Sequence, residues 1–183
     1  RRTWAREGRD FSYDELTALA QNATPFTAFI EPDDERFFTP GDMPARIRTF
    51  CEETGQAVPR DEGQIIRIIL ESLALKYRYV LNHIETVLGR QLEVIHIIGG
   101  GIQNGLLCQF TASATDQPVV AGPLEATAIG NLLLQLIGLG QLDSLADARQ
   151  VIRRSFASVT YEPDQTADWD TAYDRFCSLI PSA

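Results

Sequence analysis

The chain has 183 residues, a formal net charge of −9 and a sequence pI near 4.7. Its 44% hydrophobic and 22% charged residues are ordinary for a folded domain and exclude bulk disorder. The acidity excludes general binding to nucleic acid or to anionic membranes, which needs a basic face, and no apolar run approaches the ~18 residues of a membrane helix.

One domain, or one domain with an arm, is expected at this length. The first residue is Arg1 rather than Met and no signal-peptide pattern follows, so a piece of a longer chain is expected. Lys76 is the only Lys among the 16 basic residues, and no Gly-Lys pair exists, which excludes the GxxxxGK[ST] phosphate loop. Cys51, Cys108 and Cys177 lie far apart with no CxxC. They read as reduced thiols of a cytosolic protein, buried as small hydrophobes, and with only two His they suggest no metal site.

Residues 1–60 read as an irregular and helical arm, and residues 61–183 as the main domain. Tyr13–Asn22 is a predicted helix with Ser12 as N-cap and Glu15 completing a capping box. Pro25, Pro32, Pro40 and Pro44 and the acidic run Asp33-Asp34-Glu35 then punctuate the chain, and Phe26, Phe29, Phe37 and Phe38 are expected to pin it to a core. A second helix is expected over Pro44–Thr54, stopped by Gly55.

The clearest element is a helix over 61–88. Ile66, Ile69, Leu70, Leu73, Tyr77, Val80, Leu81, Ile84 and Leu88 recur at spacings of three and four, Asp61 and Glu62 favour its positive end, and Gly89 ends it. Tyr77, Tyr79 and His83 are expected at its core or rim. Leu92–Ile98 then reads as a buried strand, followed by Gly99-Gly100-Gly101 and a helix over Asn104–Thr115. Pro118–Ala121 is a second strand, and Gly122-Pro123 turns the chain into a helix over Glu125–Gly138. Gly130 is expected to let that helix pack closely, and Leu132-Leu133-Leu134 to be core. Two further helices are expected, over Ser144–Ser155 and Ala167–Ile180. Strand, glycines, helix, strand, helix is an α/β alternation with parallel pairing.

Three glycines between a strand and a helix suit a ligand that approaches the backbone, with the helix directing free N–H groups at it. A tight turn would use the same residues. The dinucleotide fingerprint GxGxxG fails at its third position, where Asn104 stands, and no acidic residue ends the second strand.

The segment His96-Ile97-Ile98-Gly99-Gly100-Gly101-Ile102-Gln103-Asn104, together with Pro118-Val119-Val120-Ala121-Gly122-Pro123-Leu124-Glu125-Ala126-Thr127-Ala128-Ile129-Gly130-Asn131, resembles the C-terminal domain of the FGGY carbohydrate kinases. Gly41-Asp42-Met43-Pro44 and Ile69–Tyr77 extend the likeness over essentially the whole chain, and within the family it points to members acting on L-rhamnulose.

The resemblance implies an actin-like, ribonuclease-H-like α/β ATPase domain, helix-rich with a small, partly parallel sheet. It implies ATP and Mg²⁺ as cofactors, transfer of phosphate to a sugar hydroxyl, a cytoplasmic location, and packing against an N-terminal domain that carries the catalytic Asp and the sugar site. Gly99, Gly100 and Gly101 match the family's adenosine motif, Asn104 the position near adenine, and Gln103 a weaker neighbour. Asn104 reads equally well as a plain N-cap. Glu125 reads as structural, and Arg153-Arg154 as a solvated helix face rather than a phosphate contact. A kinase of another sugar or polyol in the same family, a dinucleotide-dependent oxidoreductase domain and a non-catalytic actin-like module remain alternatives.

Overall fold

The computed structural model describes residues 2–180; the last three residues of the unit expected over 61–183 lie outside the described residues. In chain order the helices are α1 (Arg2–Arg6), α2 (Tyr13–Asn22), α3 (Met43–Glu53), α4 (Glu62–Leu88), α5 (Gly105–Thr115), α6 (Ala126–Gly138), α7 (Leu145–Ser155) and α8 (Thr166–Cys177). The strands are β1 (Ile95–Ile97), β2 (Val119–Ala121) and β3 (Val159–Tyr161). They form one sheet in the order β1-β2-β3, with β1 parallel and β3 antiparallel to β2.

Local chemistry sets the helix ends where the sequence places them. Ser12 accepts from the Glu15 N–H and Glu15 reaches back to the Ser12 N–H, so α2 has its capping box. Asp42 caps α3 and Asp61 caps α4 through the N–H groups of Ala45 and Gln64. Gly89 closes α4 at φ +66, the left-handed conformation that costs glycine least. At 27 residues α4 runs about 40 Å and carries both main cores. Trp4, Leu16, Ile30, Ile47 and Phe50 pack on Ile65 and Ile68 in its first half, while Phe29, Phe110, Trp169 and Phe176 pack on Leu70, Ala74 and Leu75.

A buried carboxylate ties the N-terminal segment to this helix. Glu71 is fully buried; one oxygen accepts from Arg67 Nε at 2.6 Å, the other from the Phe26 N–H at 3.0 Å. Arg67 also donates to the carbonyls of Ala20 and Gln21 at the end of α2, both at 3.1 Å. Arg175 of α8 donates to the Phe26 carbonyl at 2.8 Å. Phe26, at φ +55, is thus held at both its backbone groups. Beyond Phe26 the segment runs on along α4 as a strap, with the Ile30 N–H on Ser72 Oγ and the Glu31 carboxylate on Lys76 Nζ, each at 2.9 Å. Burial pushes the Glu71 carboxyl up to about 7, against the Arg67 guanidinium and the Phe26 N–H that hold it down.

Several expectations fail for one reason: periodicity reports a stripe but not its neighbour. On α4 the buried set is Ile65, Ile68, Leu70, Ala74, Leu75 and Leu81, while Tyr77, Val80, Ile84 and Leu88 of the expected stripe are exposed. Of Leu132-Leu133-Leu134 only Leu133 is buried, the others being 58% and 57% exposed, because among the described elements α6 packs substantially against α7 alone. A Cβ on Gly130 would meet nothing within 4 Å, so no close helix packing requires that glycine. Phe26, Phe29 and Phe37 pin their segment, but Phe38 is exposed. The strand expected over Leu92–Ile98 shrinks to three residues, Ile95 and Ile97 half-buried and His96 exposed, because only β2 pairs with it. The third strand, β3, went unread, although Val159-Thr160-Tyr161 before Pro163 is a β-branched and aromatic run. The last helix stops at Cys177, short of the expected Ile180.

Two outcomes are expected. Glu71→Ala leaves the buried Arg67 side chain and the Phe26 N–H without their acceptor and lowers unfolding stability by about 3–5 kcal/mol in denaturant titration. The folded-state pKa of Glu71 lies above the unfolded value, so its favourable linkage is full below about pH 4.5 and lost as pH rises through 7. Between pH 5 and 7 the parent therefore loses stability relative to Glu71→Gln, and parallel curves for the two proteins would contradict the shift.

Candidate nucleotide site

The site grows from the alternation of β1 and β2. Ile95, Ile97, Val119 and Ala121 face one way and pack with Cys108 and Ala112 of α5. His96, Ile98, Val120 and Gly122 turn to the opposite face. There they line a cavity of about 660 Å³, closed by Ala126 at the start of α6, by Arg149, Ile152 and Arg153 of α7, and by Phe156–Ser158. Arg149 and Arg153 stand four apart on α7 and so share a face.

Beyond Ile97 the chain enters a 3₁₀ turn over Gly99–Gln103. Gly99 opens it at φ +71, a conformation L side chains rarely adopt, and its N–H donates to the Pro123 carbonyl at 3.3 Å. The Gly122 N–H donates to the Ile97 carbonyl at 2.9 Å. A Cβ on Gly100 would meet nothing within 4 Å, whereas one on Gly101 would stand 3.2 Å from Ile97 Cγ2. Asn104 then caps α5: its side-chain oxygen accepts the Leu107 N–H at 3.0 Å.

The first amides of the 3₁₀ turn and of α5 have no partner inside their own helices, and the 11-residue α5 adds the positive end of its dipole. Two of these amides are taken, Gly99 by the Pro123 carbonyl and Leu107 by the Asn104 side chain; the glycine backbone, the open space at Gly100 and the remaining N–H groups together suit an anionic or nucleotide ligand. Cys108 lies behind the turn, its Sγ 3.9 Å from the Gly101 carbonyl, and burial pushes its thiol pKa up, as it does for Cys51 to about 11. Both are buried thiols of low reactivity, as expected; the third thiol, Cys177, is half-buried and also free.

The predicted site residues therefore occupy one continuous turn. Gly100, Gly101 and Gln103 are exposed, Gly99 and Asn104 half-buried. None of the three glycines lines the 660 Å³ cavity; Ile98 and the Gly122-Pro123 turn, whose Pro123 carbonyl accepts the Gly99 N–H, join the two. Arg153 faces the cavity, while Arg154 does not line it. His96 and Arg149 were not singled out in the sequence; the i, i+4 spacing of Arg149 and Arg153 was the available signal. Among the described residues no group of three or more His, Cys, Asp or Glu could hold a metal ion, and no helix is long and apolar enough to cross a membrane.

Residues 1–139 match the model of the FGGY family of carbohydrate kinases, C-terminal domain. A rhamnulokinase of Bacteroides thetaiotaomicron is 50% identical over 171 residues, covering 93% of this chain and 35% of that protein. The xylulose kinase of Lactobacillus acidophilus, solved with bound ligand, superposes with a TM-score of 0.64 over 97% of this chain and 36% of its own, at 15% identity. Plasmodium falciparum glycerol kinase, solved with ADP, gives 0.61 over 93% and 35%, at 18% identity. These likenesses show the actin-like fold expected from the sequence, and the chain spans about a third of the length of such relatives. They give the dinucleotide-dependent oxidoreductase alternative no support.

The geometry of the turn separates its glycines. Gly99→Ala is expected to cost about 1–2 kcal/mol because its φ is left-handed, and Asn104→Ala about 1 kcal/mol through the lost cap. Gly100→Ala is expected to stay within about 0.5 kcal/mol of the parent. Thermal or denaturant unfolding of the three variants checks the order.

Proposed function

The chain belongs to the FGGY family of carbohydrate kinases, as a C-terminal domain, and from this premise we propose that it holds the nucleotide in an ATP-dependent sugar kinase acting on L-rhamnulose. The observation that carries the reading is the glycine turn. Gly99–Gly101 offer backbone without side chains, at a helix start, with nothing near the Gly100 Cβ position. The 50% identity to a rhamnulokinase supports the choice of sugar. The division into an arm over 1–60 and a nucleotide-side domain over 61–183 belongs to the same proposal, as does a cytoplasmic setting, which the three free thiols support.

In this reading Gly100 and Gly101 admit adenosine against the backbone, and the open amides of the turn meet its polar edge or phosphates. Asn104 spends its side-chain oxygen on the α5 cap, which leaves the carboxamide nitrogen as a donor toward adenine. Gln103, exposed one residue before, is a weaker contact. The 1-hydroxyl of the sugar attacks the γ-phosphorus and gives its proton to the catalytic Asp, the bond from that phosphorus to the β–γ bridging oxygen breaks, and ADP leaves. Little covalent work falls to the protein; positioning and neutralisation of charge do most of it. Mg²⁺ bound with the nucleotide supplies the neutralising charge on its phosphates. The catalytic Asp, the ligands of Mg²⁺ and the sugar contacts are assigned to the N-terminal domain of the longer protein. Closure of that domain on this one excludes water and limits wasteful ATP hydrolysis.

Gly100→Val tests the assignment in the full-length kinase. The valine side chain enters the space given to adenosine, so the KM for ATP is expected to rise about tenfold or more with stability unchanged. An unchanged ATP KM would leave the glycines as a bland turn in a non-catalytic module. The isolated 183-residue chain is expected to bind an ATP analogue in calorimetric titration but not to phosphorylate L-rhamnulose; measurable turnover would refute the division of labour.

A further inference from the structure

The glycine turn does not hold itself in place. Among the described residues, the hydrogen bond tying it to the fold outside α5 runs from the Gly99 N–H to the Pro123 carbonyl. The turn that carries Pro123 is fixed in its own right. Gly122 donates to the Ile97 carbonyl and stands at φ +129, where a side chain is strained. A Cβ on Gly122 would lie 3.2 Å from the Ala157 carbonyl oxygen and 3.5 Å from Ser158 Cα. Those atoms are backbone, and the chain runs from them directly into β3. On β3, the Tyr161 hydroxyl lies 3.1 Å from the position of a Cβ on Gly105, the first residue of α5. The strand and its connector thus touch the glycine turn's supports twice, once at Gly122 and once at Gly105.

We propose that Gly122 and Tyr161 are positioning residues for the nucleotide: the Ala157–Ser158 connector and β3 form a rear support that sets where Gly99–Gly101 and the start of α5 stand. The inference rests on the assignment of Gly99–Gly101 as the nucleotide turn. A methyl group on Gly122 forces its turn away from Ala157, and the Pro123 carbonyl moves with it. The Gly99 amide then loses its anchor, and the backbone offered to adenosine shifts without any nucleotide contact being removed. Misplacement of this kind weakens binding of one substrate and spares the chemistry on the other.

The test is steady-state kinetics of the full-length kinase with ATP and L-rhamnulose varied in turn. Gly122→Ala is expected to raise the KM for ATP about tenfold while kcat and the KM for the sugar stay within about twofold. If Gly100→Val raises the ATP KM and Gly122→Ala does not, the rear support is overturned and the nucleotide turn survives. If neither variant moves it, the nucleotide assignment itself falls and takes the support with it. Should Gly122→Ala fail to fold, Gly105→Ala replaces it, because alanine strengthens a helix relative to glycine. Its methyl presses on the Tyr161 hydroxyl, so the ATP KM is expected to rise about threefold at an unchanged or higher melting temperature. Adding Tyr161→Phe removes the oxygen and is expected to restore the parent KM. No rise, or a rise that Tyr161→Phe does not reverse, overturns the proposal.

Discussion

A single buried charge organises the molecule. The Glu71 carboxylate inside the packing face of α4 could not stand there unpaired, since an isolated ion in apolar surroundings costs several kcal/mol even after relaxation. Its direct partners are Arg67 on the same helix and the Phe26 N–H, and through these two groups three other parts of the chain are joined to α4. Arg67 bridges it to the carbonyl end of α2, the Phe26 N–H brings in the segment before the strap, and Arg175 brings in α8 at the Phe26 carbonyl. Around that charge the aromatic residues Phe26, Phe29, Phe110 and Trp169 close the core. The polar tie sets the register of the N-terminal segment on α4, and the apolar contacts supply the bulk of the burial energy.

From α4 the order passes to the site. Helix α5 packs along α4 through Phe110 and Ala114 and, on its other side, against β1 and β2 through Cys108 and Ala112. Its start is therefore fixed from two directions before any ligand is considered. The glycine turn sits at that start with little packing of its own, exposed at Gly100 and Gly101. A site of this kind is rigid behind and open in front, which suits a ligand that must enter and leave through backbone contacts. The cavity on the other face of the sheet adds two arginines at helical spacing, and it touches the glycine turn only through Ile98 and the Gly122–Pro123 turn.

Much of this was legible in residues read along the chain. Ser12 with Glu15, Asp61 and Gly89 announced their helix ends because capping and the pull of the helix dipole are local, decided within three or four residues; the Asp42 cap emerged only in the structure. Gly99-Gly100-Gly101 and Asn104 announced the turn for the same reason. Other features were illegible for an equally physical reason. Whether Leu132, Leu134, Val80 or Ile84 is covered depends on elements elsewhere in space, and a hydrophobic stripe carries no record of its partner. The three-residue strand β3 gave too short an alternation to stand out, although its Tyr161 lies behind α5.

The amino-acid sequence by itself determined the kind of domain, most of the helix boundaries and the glycine turn, because all of these rest on short-range conformational preference and on motifs of adjacent residues. Only the tertiary structure decided which face of α4 is buried, that Glu71 is the tie between distant segments, and that Gly122 and β3 back the turn. Those are contacts between residues tens of positions apart. Their energy comes from desolvation and close packing, which exist only once the chain has brought them together.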